Sequence, residues 1–398
     1  MLRVEEAQER VLAQLAPLGA ETILVVQAVG RVVAEDVRAK RTLPPWDSSA
    51  MDGYAVRAGD GDDLKIVGTI GAGHPATRGI GEGEAMRIMT GAPLPAGADA
   101  IVMREFARED NERVRLDHPA RKGDHVRHTG EDIAAGDVAV AAGTLIGPGE
   151  LALCASVGQA RVAAHRRPRV AIVSTGDELV DVGEEPGPGQ IVNSNSPMIA
   201  ALVRAAGGEP IAHPITRDNP AALLARFRAA LEDCDVLVSI GGVSVGEFDY
   251  VKEAMAAAGL TMDFWKVAMQ PGKPIAFGMA AGKPAFGLPG NPASAFVSFE
   301  LFVGPALRKL GGRREGIFRP RAIVEIDGNF TRREAGRRLF LRAHAQRDGA
   351  RLLARLSSHQ GSHMLRSLAG VNALVEVPED ATLVGPGAML PALLLEAI

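Results

Sequence analysis

The sequence predicts a multidomain α/β plus β protein, with a doubly wound domain in the middle of the chain and β-rich N-terminal and C-terminal domains on either side. Three observations predict it. The chain has 398 residues, more than one ordinary hydrophobic core supports. Between about 169 and 317, continuous apolar runs such as Val170-Ala171-Ile172-Val173 and Val236-Leu237-Val238 alternate with segments of helical periodicity. Strands buried on both faces and their crossover helices read this way. Outside that stretch, short Val/Ile runs are cut by Gly, Pro and Asp pairs, which is the texture of turn-rich β structure.

The elements follow in order. Val4, Ala7, Val11, Leu12 and Leu15 recur at helical intervals, so an amphipathic helix is expected over 2–17. It and a linking segment make up 1–40. A β-rich N-terminal region of two subdomains is expected over 41–168, with strands at 63–67, 100–103 and 138–140. Gly71-Ala72-Gly73 and Ala96-Gly97-Ala98-Asp99 are among its turns. In the doubly wound domain, 169–317, helices over 196–206, 219–232, 247–258 and 292–310 alternate with the apolar runs, so the sheet should be mostly parallel. The C-terminal β domain, 318–398, has strands at 321–326, 338–345 and 351–356, and Asp348-Gly349 is the hairpin turn between the last two. The sequence contains no internal repeat, low-complexity tract or flexible linker.

Composition excludes several classes of function. Apolar residues at 46% and charged residues at 23% leave no room for long disorder. A net charge of -4 lacks the basic footprint of a nucleic-acid binder. The two cysteines, Cys154 and Cys234, are too far apart for a CxxC motif or a disulfide framework and read as buried small hydrophobes. The N-terminus has acidic residues where a signal peptide has an apolar stretch, and no run reaches membrane-spanning length. A cytoplasmic protein without a membrane partner is expected.

In an open α/β sheet, ligands bind beyond the carboxyl ends of the strands, where helix N-termini present unpaired amides. Four loops fall there. They are Ser174-Thr175-Gly176-Asp177-Glu178, Thr216-Arg217-Asp218, Gly241-Gly242-Val243-Ser244-Val245-Gly246-Glu247-Phe248-Asp249, and Pro289-Gly290-Asn291-Pro292. Glycines let the backbone approach a phosphate or a planar heterocycle closely. One such loop is ordinary turn chemistry; four on one rim favour a phosphorylated or heterocyclic ligand. Glu178, Asp218 and Asp249 are acceptor-only groups suited to share a hard cation such as Mg²⁺, whereas Asp177 is placed to cap a helix. Lys266 and Lys273, in Trp-Lys-Val-Ala-Met-Gln-Pro-Gly-Lys-Pro, are candidate anion ligands. A second conspicuous stretch is Trp46-Asp47-Ser48-Ser49-Ala50-Met51-Asp52-Gly53-Tyr54-Ala55-Val56, which composition alone does not distinguish from a structural turn.

The segments Ser49-Ala50-Met51-Asp52-Gly53-Tyr54-Ala55-Val56, 87–93, 130–133, 174–179, 241–250, 271–274 and 287–292 resemble, in order and spacing, the molybdopterin molybdenumtransferase family, which includes the C-terminal domain of gephyrin. The resemblance covers essentially the whole chain. It implies an elongated homodimer with four domains per subunit, in which the doubly wound domain binds molybdopterin. The active cleft would lie between that domain and the N-terminal β region of the partner subunit. It further implies that adenylylated molybdopterin and molybdate are the substrates, that a divalent cation, Mg²⁺, assists adenylate hydrolysis, and that molybdenum cofactor and AMP are released. The adenylyltransferase of the same pathway is an expected partner.

Carried over by motif, the functional positions are Asp52, Thr90, Glu178, Asp218, Asp249, Lys266, Lys273, Pro289, Pro292, Arg342 and Ser362. Glu178, Asp218 and Asp249 would hold Mg²⁺ or position water, Lys266 and Lys273 would bind molybdate or phosphate oxygens, and Asp52 would reach in from the partner. Thr175, Gly176, Gly241, Gly242, Ser244, Gly246 and Gly290 would hold the pterin with Pro289, Pro292, Arg342 and Ser362. Two departures remove positive charge: Gln270 stands where some relatives carry lysine, and Val126-Arg127-His128-Thr129 where some carry an arginine cluster. Two other readings compete. A molybdopterin adenylyltransferase shares the Gly-Gly-Val-Ser loop but lacks the Met51-Asp52-Gly53-Tyr54 region and the C-terminal β domain. A non-enzymatic scaffold would be expected to carry further domains or linkers. His359 and His363 lack further ligands for a metal site and read as ordinary polar residues.

Overall fold

The computed structural model describes residues 1–242, 250–332 and 334–396. The chain divides into two compact units: Met1–Glu21 with Gly30–Ala34 and Ala164–Ile398, and Thr22–Val29 with Glu35–Ala163.

The first unit begins with the helix Val4–Ala13, whose first turn carries Glu5 and Glu6 and whose last turn carries Arg10, complementing the helix dipole. It stops short of the expected 17 because Pro17 disfavours the helical region for the residue before it, although Leu15 is still buried. Val4, Ala7 and Val11 join one core with Leu301, Phe302 and Leu307. The lead-in segment therefore packs against the doubly wound domain, which its periodicity alone did not reveal.

That domain is built on a six-stranded sheet in the order Glu209–Ala212, Arg169–Ser174, Val236–Ile240, Lys283–Leu288, Ala276–Ala280, Leu260–Phe264. The first four strands are parallel, with Val170 opposite Val236 and Leu237 opposite Ala285. The pairings of Ala276–Ala280 with Lys283–Leu288 and of Leu260–Phe264 with Ala276–Ala280 are antiparallel. Strand side chains alternate between two cores. Val170, Ile172, Val236 and Val238 enter one core with Ile199 and Val203 of the helix Asn195–Ala205. Ala171, Val173 and Leu237 enter the other with Leu223 and Phe227 of the helix Pro220–Asp233. Burying each large apolar side chain here contributes about 1.5–3 kcal/mol. Helices on both faces of a mostly parallel sheet are the doubly wound arrangement that the apolar runs predict.

The expected single helix over 292–310 is Pro292–Ser298, a π turn Phe299–Val303, and Gly304–Leu310. The physical reason lies at Pro305, which has no N–H to give to the carbonyl of Leu301. Gln8 Nε2 donates to that carbonyl instead, at 2.9 Å.

In the C-terminal part, Arg338–Asp348, Arg351–Leu356, Arg321–Asp327, Met389–Leu394 and Ala373–Val377 pair in a ring, since Ala373–Val377 also pairs with Arg338–Asp348. This closed barrel encloses Val324, Leu341, Ala354 and Val375. Asp348 pairs with Arg351, so the two-residue turn is Gly349-Ala350, one place beyond the expected Asp348-Gly349. Gly349 takes a φ of +60°, which fixes the turn there. Met269–Gln270, a short strand contributed by the segment after the central sheet, joins the barrel strand Arg338–Asp348.

The second unit holds another six-stranded sheet, ordered Ala100–Met103, Gly53–Val56, Glu84–Ile88, Asp63–Ile70, Arg113–Leu116, Ala107–Asp110. Its strand residues supply two cores, one with Tyr54, Val56 and Leu64 and one with Ala55, Met86 and Ile101. A helix, Pro148–Ser156, lies in the region expected to be all β; Gly147 N donates to Glu150 Oε2 at its start. Cys154 and Cys234 are both buried and unbridged, and burial pushes both thiols up, away from reactivity. Among the described residues, no helix is long and apolar enough to cross a membrane.

Candidate active site

Within the first unit, the carboxyl ends of the parallel strands open into a cleft of about 920 Å³. Four strand-end loops of the doubly wound domain line it, and the barrel side closes it. After Arg169–Ser174 the lining residues are Thr175, Gly176 and Glu178; Asp218 follows Glu209–Ala212; Gly241 and Gly242 follow Val236–Ile240; and Pro289, Gly290, Asn291 and Pro292 follow Lys283–Leu288. Gln270 to Pro274, including Lys273, close one side, and Gln360, Gly361, Ser362 and His363 close another.

Hydrogen bonds between strand ends hold the rim in register. Thr175 N donates to the carbonyl of Ile240, Gly241 N to that of Leu288 and Gly176 N to that of Thr216. Gly241 sits at φ +96°, and a Cβ there would lie 2.6 Å from the carbonyl oxygen of Thr175. Only glycine permits the strand ends to meet so closely. The hydroxyl of Thr175 donates to Asp218 Oδ1 at 2.7 Å, orienting a carboxylate that is otherwise exposed. Glu178 is exposed as well. Asp177 caps no helix: the chain turns into the strand Leu179–Val180, and Asp177 Oδ1 accepts from Asp218 N at 3.3 Å. The helix that follows is capped by Asn219, whose side chain accepts from the amides of Ala221 and Ala222.

The cleft also contains residues that the sequence reading missed. Asn193, Ser194 and Asn195 line it at the start of the helix Asn195–Ala205, so this helix presents its amide-rich end to the cavity. Asn195 Nδ2 donates to the carbonyl of Gly290 at 2.6 Å and ties two walls together. The polar run Asn193-Ser194-Asn195-Ser196-Pro197 ahead of a helical pattern was the available signal. Arg337, half-buried, is a second cation in the lining along with Lys273, and Phe330 supplies an apolar face. Neither had a local signal, because the barrel brings them in from far along the chain.

Ser362 is fixed by contacts to the rim: Ala293 N donates to its carbonyl at 3.0 Å and Asn291 Nδ2 to its hydroxyl at 3.2 Å. Arg342 stands behind this wall and does not line the cleft. It is 1% exposed. Its Nε donates to Ser367 Oγ and its Nη2 to the carbonyls of Gly361 and His359. Burial pulls its pKa down to about 10. It acts on the cleft by bracing the loop that carries Gln360 to His363. Lys266, half-buried beyond the strand Leu260–Phe264, does not line the cleft either.

Asp52 and Thr90 belong to the second unit, where Asp52 Oδ1 accepts from both the hydroxyl and the amide of Thr90, each at 2.7 Å. Those bonds, the hydroxyl's first, hold the exposed Asp52 carboxyl below its ordinary value. The same motif recurs at Asp47, which accepts from the amide and hydroxyl of Thr129 at 2.8 Å each. Ser244, Gly246 and Asp249 lie outside the described residues. Among the described residues, no group of three or more His, Cys, Asp or Glu side chains is gathered to hold a metal. His359 and His363 form no such site.

The rim, helix N-terminus, carboxylates and cations together suit an anionic, heterocyclic ligand. Comparison with known proteins agrees with this chemistry. Residues 2–158 match the MoeA N-terminal region (domain I and II), 171–309 match a probable molybdopterin binding domain, and 329–395 match the MoeA C-terminal region (domain IV). Molybdopterin molybdenumtransferase 2 of Mycobacterium tuberculosis is 38% identical, with 98% of each chain covered. The molybdopterin molybdenumtransferase of a Nostoc species is 38% identical, with 90% of this chain and 85% of that protein covered. Among solved structures, the molybdopterin biosynthesis MoeA protein of Pyrococcus horikoshii superposes with a TM-score of 0.85 at 28% identity, with 99% of this chain and all of that one covered. The chain belongs to the molybdopterin molybdenumtransferase family.

Proposed function

We propose that this protein is a molybdopterin molybdenumtransferase, which takes adenylylated molybdopterin and molybdate and releases molybdenum cofactor and AMP. The observation that carries the reading is the cleft itself, where two carboxylates, a lysine, an arginine and a helix N-terminus converge at the carboxyl ends of parallel strands. Both substrates are anions. Bringing them together requires fixed positive charge, which Lys273, Arg337 and the amides at Ser194 and Asn195 supply. Lys266, assigned by its motif to molybdate or phosphate oxygens, does not line the cleft in this structure. Gln270, also in the cleft, gives a neutral donor. The close backbone at Thr175, Gly176, Gly241, Gly242, Pro289 and Gly290, with Pro292 and Ser362, forms a slot for a flat pterin. Ser244 and Gly246, which lie outside the described residues, are assigned to the pterin by their motif.

Glu178 and Asp218 fit Mg²⁺: they are hard oxygen donors on one cavity wall, and Mg²⁺ is usually held by one or two protein carboxylates, with waters and phosphate oxygens completing its shell. Asp249, which lies outside the described residues, is assigned as a further ligand by its motif. When bound, the ion would offset charge on the adenylate phosphates. Asp218, aimed by Thr175, would orient a water whose oxygen bonds to the AMP phosphorus as the anhydride P–O bond to the pterin phosphate breaks; Glu178 would accept the water's proton, and the pterin phosphate leaves with the bridging oxygen. The working unit in this reading is a homodimer, with Asp52 and Thr90 of a partner subunit completing the site. It acts in the cytoplasm and receives its substrate from the adenylyltransferase of the same pathway.

The test is to incubate the purified protein with adenylylated molybdopterin, Mg²⁺ and molybdate, following AMP release and reconstitution of an apo-molybdoenzyme. Molybdate-dependent AMP release with reconstitution is the expected result. Tight pterin binding without either product would replace the enzyme with a carrier or scaffold.

A further inference from the structure

Just past Glu178 the chain forms a short parallel pairing, with Leu179 opposite Ile191 and Val180 opposite Val192. Paired residues share a face of such a strand pair, and successive residues alternate between faces. Val180, 8% exposed, anchors the pair in the core, whereas Leu179 and Ile191 both line the cleft. Backbone bonds fix this lip to the carboxylate rim. Ile191 N donates to the carbonyl of Glu178 at 2.8 Å, Leu179 N to that of Gly176 at 3.3 Å and Asn193 N to that of Val180 at 2.9 Å. The loop between the two strands closes on itself, Asp181 N donating to Glu184 Oε2 and Gly187 N to Gln190 Oε1.

Ile191 is the decisive member. It is 57% exposed, so most of the free energy available from burying its side chain is still to be gained. A lone exposed isoleucine on an open surface calls for no explanation, but this one borders a cavity and is bonded to the backbone of a carboxylate assigned to the adenylate. The segment 179–192 carries Asp181, Glu184 and Glu185 and has no Lys, Arg or His, so it does not attract phosphate. Lys273 and Arg337, the cations of the cleft, come from other segments. Other apolar side chains of the lining are committed elsewhere: Ile240, Met269 and Leu339 are at most 3% exposed, and Phe330 belongs to the barrel side. The partner that suits the lip is therefore uncharged, apolar and flat.

We infer that Leu179 and Ile191 form the nucleobase subsite of the cleft, against which one face of the adenine ring packs, both in the adenylylated substrate and in AMP. This rests on the function proposed above and says where in the cleft the nucleotide half lies. With the phosphates at Glu178 and Asp218, the ribose and base run on towards positions 179 and 191, and the pterin lies towards Gly241 and Gly290. The two side chains set affinity for the nucleotide and do not touch the reacting atoms. Their loss is therefore read in KM and in inhibition by AMP more than in kcat.

The test is calorimetric titration of the full chain, with Mg²⁺ present, by AMP and by ribose 5-phosphate, which keeps the sugar and phosphate and lacks the base. The wild type is expected to bind AMP at least about tenfold more tightly. Ile191→Ser should bring the two ligands within about threefold of each other, with ribose 5-phosphate affinity and Tm held because the side chain is exposed. Ile191→Leu should restore the preference. Equal affinities for the two ligands in the wild type, or an unchanged preference for AMP in Ile191→Ser, would overturn the subsite even where molybdate-dependent AMP release proceeds. A parallel loss of both ligands, or a change of oligomeric state with the preference intact, would overturn it too, making Ile191 a packing or subunit-contact residue. Absence of AMP binding together with absence of AMP release in the assay above would overturn the proposed function along with it.

Discussion

The two sides of the cleft are built on opposite principles. The doubly wound rim places Glu178 and Asp218 on exposed loops, where strand-end hydrogen bonds and a Thr175 hydroxyl aim them and water is free to reach them. The barrel wall presents a backbone turn and the Ser362 hydroxyl, held from behind by the buried guanidinium of Arg342. On the proposed function, one side is arranged for chemistry and the other for shape. Changes on the rim should therefore cost rate at nearly constant stability, and changes behind the wall should cost stability and substrate affinity.

The largest expected effect is on the rim. Asp218→Asn keeps an acceptor for Thr175 and removes the charge, so AMP release should fall about 10²–10³-fold with Tm held; a large Tm loss in that variant would break the contrast. Next is Gly241→Ala, which puts a methyl against the Thr175 carbonyl at a φ of +96°. It should destabilise by about 2–4 kcal/mol in denaturant melts, and a neutral result would mean that the strand ends are looser than they look. Arg342→Met follows: it strips donors from Ser367 and two carbonyls, costing about 1–3 kcal/mol. KM for the adenylylated pterin should rise more than kcat falls. If kcat falls first, Arg342 touches the reacting atoms and the brace assignment is wrong.

The smallest effect separates two look-alike motifs. Asp52 is held below its ordinary value of 3.8 mainly by the Thr90 hydroxyl. A depressed carboxylate keeps its interaction above the ordinary value and loses it as pH falls through the lowered one. Thr90→Val should therefore move the acid limb of the rate profile upward. Thr129→Val, which disturbs the twin contact at Asp47, should leave that limb in place. Equal shifts in both variants would remove Asp52 from the chemistry.

The rim was legible in the sequence because each loop carries its signal locally: an apolar run, then small residues, then a carboxylate or amide. The central strands were legible for the same reason, their alternate residues feeding two cores. The barrel wall was readable only through resemblance, since Ser362 meets Asn291 across 71 positions of chain and nothing near either residue announces the other. Arg337 and Asn195 escaped for related reasons. An arginine next to another arginine, Arg338, looks like solvated surface, and an asparagine at a helix start looks like a cap. The π turn at Phe299–Val303 required knowing that Gln8, nearly three hundred residues earlier, serves the carbonyl freed by Pro305. Long-range closure is what local periodicity does not encode.

The most direct test of the cleft as the working site is a crystal structure of the protein with adenylylated molybdopterin and Mg²⁺, molybdate withheld. The expected density places the pterin between the Gly241 and Gly290 backbones and Ser362, with the phosphates toward Lys273 and Arg337 and the carboxylates of Glu178 and Asp218 at the adenylate. Ligand density outside this cleft, or inside it with the phosphates turned away from those four side chains, would contradict it.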